Sequence, residues 1–262
     1  MTRVTMGMGL SQAQVEQFEA DGVVVARGLL SQEDIETLRE RIAWVVSGDS
    51  HIPKERLQAE PLVAACEVDA DSYAASLRKM SHVAFVDEVF EAHARNKVIL
   101  DCIEALLGVE DVKLYQDQLF MKPPKVGSRQ AYHQDQPLGF DIEPADMVTC
   151  WAALDEATIE NGCLWMLPGT HKFGAIGQES WSEYETRALD GRLPEERAIE
   201  LKPGDCSFHH GLILHSSRPN MTDQRRWGYA THYVSAHCRY TGSPENVNDA
   251  MLMRGNSIPG CI

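Results

Sequence analysis

From residue 112 onward the chain breaks into short apolar runs separated by Gly, Pro and Asn turns. This switch away from helical spacing constrains the fold more than any other feature. Upstream, the pattern is mainly helical. Ser11 can cap a helix over 12–20 that stops at Asp21-Gly22, 23–26 reads as a strand, and Ser31 caps a longer amphipathic helix running through Ile42 to about 46. Residues 51–72 carry no clear period, and 83–107 reads as one helix ending at Gly108. A strand over 112–121 is halted by Pro123-Pro124, and further strands are expected at 147–154, 163–167, 199–201, 205–209, 212–216 and 226–235. Strands this numerous and irregularly joined point to a mainly β chain with flanking helices (α+β). Its core is two facing antiparallel sheets in a jelly roll, with the ligand site between them. The expected organisation is one domain over 1–262, with a helical part at about 11–108 and the jelly-roll core at about 112–236; 262 residues at 44% hydrophobic content suffice for one substantial core.

Within that core, His133 and Asp135 in Tyr132-His133-Gln134-Asp135 project to one side if the chain is extended, because side chains on a strand alternate with period two. His215 ends the apolar run Gly211-Leu212-Ile213-Leu214, which reads as a buried strand able to fold back beside the first. Two imidazoles and one carboxylate on one side of a metal form the facial triad of non-haem Fe(II) oxygenases, which leaves coordination positions open for substrates. A His-X-Asp tripeptide alone is as readily a turn with a hydrogen-bonded histidine. Other histidines compete for the third place. His209 and His210 are adjacent, so only one can face inward; both are read as supporting or packed residues, His171 as ordering a loop at the rim, and His232 as a core histidine.

Several blocks together resemble the phytanoyl-CoA dioxygenase family of Fe(II)- and 2-oxoglutarate-dependent oxygenases: Phe120-Met121-Lys122-Pro123-Pro124, His133-Gln134-Asp135, Glu160-Asn161-Gly162-Cys163-Leu164 continuing to Pro168-Gly169-Thr170-His171, and Pro203-Gly204-Asp205 leading into His210 to His215. The resemblance implies a double-stranded β-helix, or cupin-like jelly roll. It implies iron ligands at His133, Asp135 and His215, and 2-oxoglutarate contacts at Lys79, Gln118, Trp151, Ser217 and Arg226. The implied reaction uses O2 and converts 2-oxoglutarate to succinate and CO2 while hydroxylating an unactivated C–H bond of a small molecule. Asp135 bears on the outcome, since related halogenases carry a small residue there. The alternatives are a jelly-roll metalloenzyme using another divalent metal for hydrolysis or isomerisation, and a binding protein with a degenerate site.

Physical chemistry supports the choice of Arg226 over its neighbour. A planar guanidinium can hold the far carboxylate of an α-keto diacid through two parallel bonds. On a strand, Arg226 shares its face with the small residues Gly228 and Ala230, whereas Arg225 shares its face with Trp227, Tyr229 and Tyr233. Ser217, two residues after His215, faces the same way if the strand continues, although a turn serine before Pro219-Asn220 is the plain alternative.

A net charge of −15 argues against nucleic acid or an anionic membrane as partner. Residues 1–14 lack a basic segment followed by an apolar core, and no stretch of about 20 apolar residues follows, so the expected location is the cytoplasm. The seven cysteines are odd in number and lack CxxC spacing, which points to reduced thiols. Lys122, Lys125 and Arg129 near the expected mouth form no cluster for CoA phosphates but can meet a modest anionic group. The polar segment 174–196 is either a lid over the mouth or a solvated connection. Oligomeric state is not legible.

Overall fold

The computed structural model describes residues 9–67, 69–70, 72–136, 141–176, 193–243 and 250–262. Helix α1 (Gln12–Asp21) and helix α2 (Gln32–Val46), separated by strand β1 (Val23–Ala26), both begin in capping boxes. Ser11 pairs with Gln14 and Ser31 with Asp34, so two otherwise orphaned N–H groups are satisfied at each helix start. Gly22 ends α1 at φ 75°, a left-handed conformation that glycine adopts without a Cβ clash.

The region 51–72, which shows no period in sequence, contains β2 (Leu57–Ala59) and the short α3 (Pro61–Ala64). Strand β3 (Leu77–Ser81) follows. The single helix expected over 83–107 is two, α4 (Glu88–Ala94) and α5 (Lys97–Leu107). Two causes are visible. The Asp117 carboxylate accepts the N–H groups of Val83 (3.0 Å) and Ala84 (3.1 Å), which holds that stretch out of a helix. Asn96 then caps α5 by accepting from the N–H of Val98 at 3.0 Å, forcing a fresh start.

The remaining strands are β4 (Val112–Lys122), β5 (Gln130–His133), β6 (Ile142–Glu143), β7 (Met147–Ala153), β8 (Leu164–Met166), β9 (Arg197–Ile199), β10 (Cys206–His210), β11 (His215–Ser217), β12 (Arg226–Ser235), β13 (Arg239–Tyr240) and β14 (Met251–Arg254). The major sheet runs β1-β10-β7-β12-β4-β3-β2, with β14 also on β4; the minor sheet runs β5-β11-β8-β9; β13 pairs with β6. The early part is therefore not purely helical, since it supplies three strands to the major sheet. The run Gly211 to Leu214 is a turn, and its strand begins only at His215. Its backbone groups are drawn elsewhere: the N–H of Ile213 donates to His210 O at 3.0 Å, and that of Leu214 to Thr170 Oγ1 at 3.0 Å.

Alternation along β7 shows how the layers separate. Val148, Cys150 and Ala152 pack with Leu38, Phe90, Ile99 and Ile103 of the helices on one face of the major sheet. Trp151 and Ala153 face the minor sheet, against Leu164 and Met166. The jelly-roll interior thus lies between the sheets and the helices cover the other side. Among the described residues, no helix is long and apolar enough to cross a membrane.

Candidate active site

His133 ends β5 and His215 begins β11, and the two are direct register partners, so their rings lie side by side with centroids 4.1 Å apart. Each imidazole is oriented by its own strand: Nδ1 of His133 donates to Ala131 O (2.9 Å) and Nδ1 of His215 to Ile213 O (3.1 Å). A carbonyl accepts only, so Nδ1 carries the proton and Nε2 presents its lone pair inward. Asp135 Oδ1 lies 3.8 Å from His133 Nε2 and 3.6 Å from His215 Nε2. The three residues each offer one ligand atom within 4.8 Å of the others, a donor set and spacing that fit a divalent metal.

The second carboxylate oxygen is fixed from the major sheet. Thr149 Oγ1 on β7 donates to Asp135 Oδ2 at 3.0 Å, His232 Nδ1 on β12 lies 2.8 Å from the Thr149 hydroxyl, and His209 Nε2 on β10 lies 3.4 Å from Oδ2. Burial alone would raise the Asp135 carboxyl, but the imidazoles of His215, His209 and His232 outweigh it and hold the group well below the usual range. Burial pushes His133 down and His215 well down, which favours the neutral imidazole whose lone pair a metal takes.

These groups line a cavity of about 210 Å³ between the sheets, and Lys79, Gln118, Trp151, Ser217 and Arg226 line it too. Arg226 is 2% exposed, and burial brings its pKa down to about 10. Its side chain makes no hydrogen bond or ion pair among the described residues; the guanidinium carbon sits 5.2 Å from the Trp151 ring centroid. Gly228 is what admits that ring, since a Cβ there would lie 1.9 Å from Trp151 Cζ2. Arg225 points outward, stacked 3.5 Å over Trp227 and bonded to Asp155 at 3.2 Å. Ser217 is buried opposite Leu164 and Gln130, Gln118 lies between Ser81 and Ala230, and Lys79 lies opposite Phe120.

Thr149 was not singled out in sequence, although its period-two relation to Trp151 puts it on the inward face. His232 is buried and hydrogen-bonded as expected, and it also forms part of the cavity wall on the face of Arg226, Gly228 and Ala230. His209 supports Asp135 as expected, while His210 turns away with Nδ1 accepting from the Leu212 N–H at 3.0 Å and packs 5.2 Å from His171. His171 itself packs against Gly22, where an added Cβ would meet Nδ1 at 2.4 Å. Lys122 is no surface cation: its Nζ is buried and donates to Ser128 O (2.7 Å) and Arg218 O (2.6 Å). Lys125 pairs with exposed Asp223. Most of 174–196 lies outside the described residues.

A buried two-histidine, one-carboxylate cluster between the sheets of a jelly roll is the architecture of non-haem iron oxygenases. The chain belongs to the phytanoyl-CoA dioxygenase (PhyH) family, whose model matches residues 18–228; members of that family are 2-oxoglutarate-dependent dioxygenases. It is 27% identical over 248 residues to a probable phytanoyl-CoA dioxygenase of Caenorhabditis elegans, covering 89% of this chain and 78% of that one. It is likewise 27% identical over 265 residues to the peroxisomal phytanoyl-CoA dioxygenase of Homo sapiens, covering 93% and 75%. Among solved structures, EctD from S. alaskensis with 2-oxoglutarate and 5-hydroxyectoine superposes with a TM-score of 0.76 at 20% identity, covering 95% of this chain and 86% of that one. The epimerase SnoN in complex with Fe3+, alpha ketoglutarate and nogalamycin RO superposes with a TM-score of 0.71 at 20% identity, covering 94% and 96%. These likenesses establish the cupin-like jelly roll.

Proposed function

We propose that this chain hydroxylates an unactivated C–H bond of a small molecule, with Fe(II) held by His133, Asp135 and His215 and with 2-oxoglutarate as cosubstrate. The metal and cosubstrate together supply the oxidising chemistry with O2, and the protein supplies orientation, charge and exclusion of water. Arg226 carries this reading. A buried guanidinium without a carboxylate partner calls for an anion, and this one lines the same cavity as the triad. A hydrolase or isomerase has no evident use for it. Ser217 adds a hydroxyl, Trp151 a wall beside the guanidinium, and Lys79 and Gln118 polar groups from β3 and β4.

Hydroxylation is supported by the carboxylate at Asp135, which occupies a place a halide would need. We read residues 1–262 as a single domain, supported by the passage of β1, β2 and β3 into the major sheet. A cytoplasmic location is supported by seven free cysteines. The test is anaerobic addition of Fe(II) and 2-oxoglutarate, watched for the weak visible charge-transfer band of the chelate, followed by a succinate-release screen in air. Absence of the band, with metal shown to be bound, removes the cosubstrate assignment.

A further inference from the structure

The cavity wall carries more positive charge than a metal and its cosubstrate need. Four cationic side chains line it, Arg78, Lys79, Lys122 and Arg226, against the carboxylates of Glu60 and Asp135. This is not inherited from composition, since the whole chain is strongly acidic at −15. If the proposed cosubstrate site is right, a divalent metal and a dianionic keto acid cancel one another, and Arg226 faces the far carboxylate. Lys122 is already committed: its Nζ donates to two main-chain carbonyls, and burial with neighbouring Arg226 and Arg78 lowers its pKa to about 6, so it is largely neutral at pH 7. Burial and neighbouring Arg78 lower the Lys79 pKa as well; counted as an ammonium, it leaves the wall with about one positive charge more than its carboxylates match.

Arg78 is placed to account for it. Its side chain is 16% exposed, and its guanidinium is anchored to neutral acceptors, Ser128 Oγ and, at 2.6 Å, Gln130 Oε1. The buried Glu60 carboxylate forms only a long ion pair with it, Oε1 lying 3.9 Å from Nη1 while also accepting the Ser128 N–H at 3.0 Å. Gln130 lies on β5, the strand that ends in His133, and is the register partner of Ser217. Arg78 is therefore fixed against the ligand-bearing strand with its charge only loosely countered by Glu60. Glu60 beside it disfavours a dianion such as phosphate and suits a group with a single negative charge.

We propose that Arg78, oriented by Ser128 and Gln130, receives a carboxylate of the primary substrate, so that the hydroxylated molecule is a small carboxylic acid. This rests on the 2-oxoglutarate reading above. The test uses the Fe(II) protein saturated with 2-oxoglutarate under anaerobic conditions, titrated with hexanoate and, separately, hexanamide in a calorimeter while the visible band is recorded. Hexanoate binds saturably with the band retained, and hexanamide binds at least about tenfold more weakly, since it cannot form charge-assisted bonds to the guanidinium. Arg78→Met and the polar Arg78→Gln, each checked for folding by circular dichroism, both lose the preference for the acid. Equal binding of acid and amide, no binding of the acid, or an unchanged preference in either folded variant overturns the assignment. So does disappearance of the band on adding hexanoate, which would place the acid at Arg226. If no band forms with 2-oxoglutarate alone, the cosubstrate reading fails, and calorimetry of the Fe(II) protein with the acid–amide pair still decides the role of Arg78.

Discussion

Gly228 and Trp151 share one space: the ring of the tryptophan on β7 fills the volume that a Cβ at position 228 on β12 would need, with 1.9 Å between that Cβ and Cζ2. Gly228→Ala must therefore push the indole away from β12 or spread two central strands. Overpacking of this kind costs about 1–3 kcal/mol. Because Arg226 lies against the same ring, the variant should bind 2-oxoglutarate at least about tenfold more weakly, in keeping with 1.4 kcal/mol per decade. Tryptophan fluorescence and the dissociation constant together check this, and a Gly228→Ala, Trp151→Phe double variant should recover part of the loss.

Arg226 and Arg225 should part sharply. Stranding the far carboxylate by Arg226→Ala costs on the order of 2–5 kcal/mol, more than tenfold in the dissociation constant of 2-oxoglutarate for the Fe(II) form. Arg226→Lys should also be impaired, since an ammonium lacks the planar fork. Arg225→Ala should bind as the parent does. A larger loss at Arg225 would mean that the facing of β12 is wrong.

Alanine at His133, Asp135 or His215 should each abolish iron-dependent 2-oxoglutarate turnover and lower the iron bound per chain, measured by elemental analysis, while circular dichroism stays native. His210→Ala should keep both, because that ring turns away from the cavity. Full activity in His215→Ala would remove the triad.

Thr149→Val keeps shape and deletes the hydroxyl that fixes Asp135 Oδ2. Outer contacts of metal ligands are typically worth 10–100-fold in affinity, so a metal titration should show Fe(II) held roughly that much more weakly. An unchanged affinity would reduce Thr149 to packing.

His93, buried against Tyr229, has its pKa pushed down to about 4 by burial. Between the ordinary value of 6.5 and about 4 the unfolded chain binds the proton and the folded one does not. Stability is thus intact above pH 6.5 and falls as the pH drops toward 4, by about 2 kcal/mol from this group at pH 5. Denaturant titrations at pH 7 and pH 5 should show His93→Phe losing less on acidification than the parent.

Much of this site was readable in the chain. The His133-X-Asp135 spacing and the alternation Arg226, Gly228, Ala230 are local, and each depends only on the period of a strand. The same alternation carries through to His232, but its part in the cavity wall is not legible in the chain, because its partners there, Thr149 and Asp135, lie far off in sequence. The apolar run before His215 misleads for a related reason: hydrophobic residues in a buried turn look like a strand when the hydroxyl that takes up the Leu214 N–H sits on Thr170, some 40 positions away. Likewise the break between α4 and α5 turns on the Asp117 carboxylate, contributed by a strand that had not yet begun.

Asp135 is gripped from both layers, one oxygen among the histidines of the minor sheet and the other by residues of the major sheet. An ion bound there cross-links Asp135 to His215 and closes a loop of about 80 residues, much as a disulfide would, but with a strength set by metal concentration. The cell's iron supply then reaches beyond turnover to how firmly β5 and β11 of the minor sheet are fastened together.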